Sequence, residues 1–222
     1  MFGNLNNNIF YRVIFPLAVY FILFNLLFSL LRYISETMLN NGLSGLYCAA
    51  ISAAITIVVM YFFYKNAFVY KAEPMFELSK LPKEILLILA IAALGVVLNL
   101  IATHFPLTEV SEAFSKADNY LVDGDLFAKI LANVILVPAL EELVFRGIVC
   151  GEIEKKLDTV PTVIISAFIF GLLHFNWVQM IYAFLVGLLI GYVYEETHKL
   201  WVVYAGHALL NLTVVLMATF MA

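Results

Sequence analysis

The sequence predicts an all-α, polytopic membrane protein with about seven transmembrane helices. Three observations lead there. Of 222 residues, 64% are hydrophobic and only 13% are charged, whereas soluble domains are nearer half apolar and a quarter charged. Uncharged runs long enough to cross a bilayer recur along the chain. None of them alternates apolar with polar residues as a barrel strand would, so each must satisfy its backbone as a helix. The net charge of −4 offers no basis for binding nucleic acid. Cys48 and Cys150 sit in apolar context without metal-type spacing and read as small buried hydrophobes.

The elements follow in order. The first residues, "MFGNLNNNIFYRVIF", lack a strongly basic start and a small-residue cleavage site, so the first apolar run is expected to be a retained span. Residues 13–31, 43–64 and 85–103 carry no charge and match a hydrocarbon layer about 30 Å thick. A polar, acidic loop, "HFPLTEVSEAFSKADNYLVDGD", comes next. A fourth helix starts near Leu126 and runs to "EIEKKLD", roughly 45 Å at 1.5 Å per residue. From Thr159 to Tyr194 there is no Asp, Glu, Lys or Arg. A single helix of that length would be roughly 54 Å long, so the run must break, and "HFNWV" is the expected place. Two helices result, near 160–175 and 177–195, and residues 200–222 form a seventh. Gly187 and Gly191 make a GxxxG suited to close helix approach. Trp177 and Trp201 read as interfacial anchors, and "EET" at 195–197 as a solvated helix end.

Basic residues give the orientation. Arg12, Lys65, Lys71, Lys80, Lys83, Lys155, Lys156 and Lys199 fall on one side of a seven-helix chain; Arg32, Lys116 and Lys129 fall on the other. The N-terminus is therefore expected in the cytoplasm.

Ionisable residues within the apolar runs are segregated. The first three spans have none near their middles. The last four contain Glu141, Glu142, Arg146, His174 and His207. Such groups are costly in a bilayer and persist when paired or wet. Two domains are expected on this basis: residues 1–125, with three packing helices, and residues 126–222, with the polar core. Glu142 and Arg146 are spaced i,i+4 and can pair on one face, and helix packing alone would account for them. Glu141 points about 100° away, so it must face water, a metal or histidines from elsewhere. His174 follows Phe170 by one turn, and His207 shares a face with Asn211; taken singly, each reads as a packing or interhelical hydrogen-bonding residue. Glu141 and His174 both lie about 20 Å from the "KKLDTVP" turn, and His207 about 12 Å from its own turn.

The ordered set "EELVFR", "FGLLH" and "HALLN" resembles the CPBP family, the CAAX protease and bacteriocin-processing membrane proteins that include type II CAAX prenyl endopeptidases. The family pattern EExxxR, FxxxH, HxxxN is met at Glu141, Glu142 and Arg146, at Phe170 and His174, and at His207 and Asn211. The likeness runs from about Leu126 to Asn211. It implies an intramembrane endopeptidase with a four-helix catalytic core in the C-terminal half. The position of Glu141 implies the base that activates water, assisted by His174, while His207 and Asn211 would bind the carbonyl oxygen. The implied substrate is a hydrophobic or lipidated peptide, met at the lipid bilayer.

The chemistry is sound on its own terms. Amide hydrolysis needs a deprotonated water, a stabilised oxyanion and a proton for the departing amine. A carboxylate in a low-dielectric cavity is a strong base, and donors aimed at an oxyanion are worth about 3–4 kcal/mol each. HExxH is absent, yet Glu141, His174 and His207 together would also make a catalytic zinc set. Two other function classes stay open: a non-enzymatic immunity or scaffold protein of the same family, and an ion or metal carrier. The carrier would need a polar path through the first three spans, which offer none.

Overall fold

A computed structural model describes residues 8–39, 42–67, 77–104, 124–174 and 177–220. Lys71, Lys116, most of the acidic loop, and Phe175 and Asn176 at the expected break lie outside the described residues. Those described form seven helices and no strand. They are α1 (Ile9–Met38), α2 (Gly45–Ala67), α3 (Leu81–His104), α4 (residues 126–154), α5 (Thr159–Leu172), α6 (Trp177–Thr197) and α7 (Leu200–Phe220). Five of them, α1, α2, α3, α6 and α7, are long and apolar enough to cross a membrane. The other two are special: α5 has only 14 residues, and α4 carries three charges at mid-length. The chain is an integral, all-helical membrane protein.

The helices group into two compact units. In the first, α1 and α2 pack with α4. Ser35 locks the α1–α2 turn: its hydroxyl donates to the Leu43 carbonyl (2.8 Å) and accepts from the Leu43 amide (3.0 Å). Leu46 and Ala50 of α2 pack against Ala128 and Ala132 of α4. Polar side chains of α2 turn back on their own helix, with Ser52 donating to Cys48 O and Thr56 to Ser52 O, both at 2.7 Å. Both hydroxyl donors are thereby satisfied within the helix, without help from lipid. Both cysteines are free thiols buried in this unit, as expected.

The second unit holds α3, α5, α6 and α7. Gly187 and Gly191 of α6 lie on Ala167 and Val163 of α5, where an added Cβ would come within 3.2–3.3 Å, the close approach that the GxxxG spacing predicts. Gly206 of α7 meets Ile91 of α3 in the same way. Lys199, in the α6–α7 turn, bonds Glu84 in the first turn of α3 at 2.6 Å, and both are buried. The expectation of a solvated "EET" fails at its first residue: Glu195 is 7% exposed, whereas Glu196 is exposed and lies 3.9 Å from Lys83. Adjacent residues on a helix diverge by about 100°, so one end can present one carboxylate inward and the next to water.

Candidate active site

Helix α4 is not uniformly α-helical. Two α-helical turns at its ends and one at Val137–Glu142 alternate with π-helical segments at Ile130–Leu136 and Leu143–Cys150. Pro138 gives a local cause for the first. It has no N–H to offer Val134 O, and just before it the Val137 amide reaches back five residues to Ala132 O. The two glutamates therefore sit at the end of a short α-helical turn bracketed by wider ones. Such π-segments concentrate at functional sites.

Glu142 and Arg146 form the predicted pair, with Nε 3.2 Å from the carboxylate and side chains 1% and 0% exposed. Glu141 is half-buried, and as the preceding residue it lies about 100° round the helix from Glu142. One turn beyond it, Phe145 receives the ring of Tyr20 from α1, edge to face at 6.0 Å and 85°. Sequence reasoning missed Tyr20. It lies in an uncharged span with no motif around it, and only the packing of α1 on α4 places it.

The other predicted residues lie in the second unit. His174 follows the last turn of α5. Its Nδ1–H donates to the Phe170 carbonyl at 2.9 Å. A carbonyl only accepts, so Nδ1 carries a proton in this bond, and Nε2 is the ring nitrogen left to exchange a proton. Phe170, 3% exposed, meets both imidazoles edge to face: His174 at 4.9 Å and 84°, and His207 of α7 at 6.4 Å and 87°. One phenylalanine thus gathers the two histidines from different helices. Asn211 stands one turn after His207 on α7. Gly171 lets this corner form: a Cβ there would lie 2.7 Å from the Met180 carbonyl oxygen of α6. The structure therefore joins Glu141, Glu142 and Arg146 on one helix, and His174 with His207 around Phe170.

Among the described residues, no three His, Cys, Asp or Glu side chains gather as a metal site requires. The expected zinc set would draw on both units, Glu141 from the first and His174 and His207 from the second.

Residues 123–213 match the family model for type II CAAX prenyl endopeptidases of the Rce1-like kind. The chain is also 31% identical over 88 residues to a Bacillus subtilis (strain 168) protein described as "Putative membrane peptidase YdiL". That alignment covers 40% of this chain and 36% of the relative, so the likeness spans about a third of the relative's length. No solved structure matches the chain significantly. The glutamate pair on α4, the Phe170–His174 corner and the His207–Asn211 face all fall within the matched segment, and it is through these residues that the chain is similar to CAAX-type membrane proteases.

Proposed function

We propose that the chain is a membrane endopeptidase that hydrolyses peptide bonds of hydrophobic or lipid-anchored peptides with a glutamate-activated water. The observation that carries this reading is the Phe170 corner. It holds two imidazoles together and engages the Nδ1 proton of one of them. A packing histidine has no need of an Nε2 left to exchange a proton, whereas proton transfer does.

The roles are assigned residue by residue. Glu141 takes a proton from water, and the hydroxide forms the new bond to the peptide carbonyl carbon. His207 and Asn211 donate to the oxyanion. As the C–N bond breaks, the proton held by Glu141 passes to the departing amine, with His174 Nε2 assisting. The Glu142–Arg146 pair fixes which face of α4 turns towards the reaction. The excess of Lys and Arg on one side supports a cytoplasmic N-terminus.

The test is cleavage of lipidated and unlipidated hydrophobic peptides in liposomes. Glu141→Gln and His174→Ala should each lower the rate by roughly 100-fold or more. The double variant should be little worse than either single one, since groups serving one step are not additive. Wild-type rates in both single variants would leave a binding or immunity role in place of catalysis.

A further inference from the structure

The ends of α1, α2 and α4 in the first unit surround a cavity of about 520 Å³ that the proposed chemistry does not use. Tyr11, Phe15 and Phe63 form its aromatic side, and Arg12, Asn66 and Glu152 its polar side. The rings are ordered, with Tyr11 stacked on Phe15 at 5.1 Å and Phe15 edge-on to Phe63 at 5.8 Å. Glu152 is 2% exposed and takes a cation on each oxygen: Arg12 Nε at 2.9 Å and Lys155 Nζ at 2.7 Å. The same two cations donate to the final carbonyls of α2, Arg12 to Asn66 O at 3.4 Å and Lys155 to Ala67 O at 2.6 Å. One buried carboxylate therefore anchors two cations at the point where three helices end.

Charge decides what this cavity suits. Arg12, Lys65, Lys155 and Lys156 on these helix ends outnumber Glu152 and Glu154, so the net field is positive. The aromatic side matches the interfacial level of a bilayer, where amphipathic rings sit between headgroups and acyl chains. A basic pocket between helix ends at that level suits a lipid phosphate. We propose that this cavity binds the headgroup of an anionic phospholipid, with its phosphate at Arg12 and Lys155 and its glycerol end against Phe15 and Phe63. The inference stands apart from the proposed protease activity, since none of these side chains has a part in it.

Retention of lipid by the full-length protein, read by native mass spectrometry from detergent with equal phosphatidylglycerol and phosphatidylcholine, tests it. Wild type should hold phosphatidylglycerol preferentially. Arg12→Gln with Lys155→Gln should cut that preference by about fivefold per cation removed, and Arg12→Lys should largely keep it. Ala67→Leu, which changes no charge and only fills the cavity, should also lower retention. Millimolar inorganic phosphate should compete poorly, because it lacks the apolar part. Three outcomes would overturn the proposal. One is equal retention of both lipids by wild type. Another is full retention by Ala67→Leu, which would mean diffuse surface charge. The third is displacement by inorganic phosphate, which would mean a simple anion site.

Discussion

Each compact unit contains a buried ion pair, and the two pairs serve different ends. Glu142–Arg146 is local, four residues apart on one helix at 3.2 Å. As a contact within one helix it fixes which stripe of π-interrupted α4 carries charge, and on the proposed function it thereby sets where neighbouring Glu141 points. Glu84–Lys199 joins residues 115 apart in sequence at 2.6 Å and ties α3 to the α6–α7 turn. Its effect is on architecture. Buried pairs seldom add net stability over apolar side chains of similar size, but removing one partner is costly. On the proposed function, the first pair would place a carboxylate, whereas the second ties helices together.

The largest expected effect comes from breaking the first pair. Arg146→Gln removes the cation paired with buried Glu142 and should cost about 3–5 kcal/mol, read as a lower thermal midpoint in detergent. Replacing both partners with methionine should restore most of that stability. Cleavage should stay low in the double variant, because nothing then holds the Glu141 stripe. A double variant with full stability and full activity would show that the pair does not position Glu141.

The second pair sharpens the contrast. Lys199→Met should cost about 3 kcal/mol or less, because water can reach the α6–α7 turn and solvate the abandoned Glu84. Glu84→Met with Lys199→Met should recover both stability and cleavage. If that variant stays inactive while melting normally, the staple also shapes the histidine corner, and the division between the two pairs fails.

A smaller effect tests the histidine corner directly. Gly171→Ala places a Cβ 2.7 Å from the Met180 carbonyl oxygen, which is backbone and cannot swing away. Overpacking of this kind costs about 1–3 kcal/mol. The His174 amide bonds the Gly171 carbonyl at 3.1 Å, so cleavage should fall with stability. Gly95→Ala is the control. Its Cβ would meet the flexible end of Leu210 at 2.5 Å, so Leu210 can shift and the loss in both measurements should be smaller.

Much of this was legible in the sequence for a physical reason: local rules act within a few residues. The Glu142–Arg146 spacing, the glycines of α6 and the break before Trp177 are all short-range patterns, and each appears where the sequence puts it. What stayed hidden depends on distant packing or on a change of helix type. Pro138 marked a weak point in α4 but not the π-segments on both sides of the glutamates. Tyr20 lies more than a hundred positions from Phe145. Lys199 counted as a loop charge until its distant partner Glu84 was in place, and Glu195 was taken for a solvated end because one-dimensional position does not say which side of a helix end is covered.

The smallest effect belongs to the start of α4, where Asp125 caps the helix that carries Glu141. Its carboxylate accepts from the Ala128 amide at 2.9 Å and from the Tyr47 hydroxyl at 3.1 Å. The Ala128 amide, with help from Tyr47, holds the Asp125 carboxyl below its usual range. A depressed folded-state pKa gives stability that is fully present above the unfolded value, about 3.9, and is lost as pH falls through the lower folded one. Between pH 7 and 5 the cap should therefore be constant, and below about pH 4 it should weaken. Hydrogen exchange at the Phe127 and Ala128 amides reads this locally. Asp125→Ala should raise exchange at every pH, and Asp125→Asn, still a cap, should remove the pH dependence while keeping most of the protection. Cleavage should hardly change in either variant, because the cap lies four turns from Glu141 and the Glu142–Arg146 pair sets the stripe independently; a large loss of activity would mean that the whole of α4, and not its central pair, positions the carboxylate.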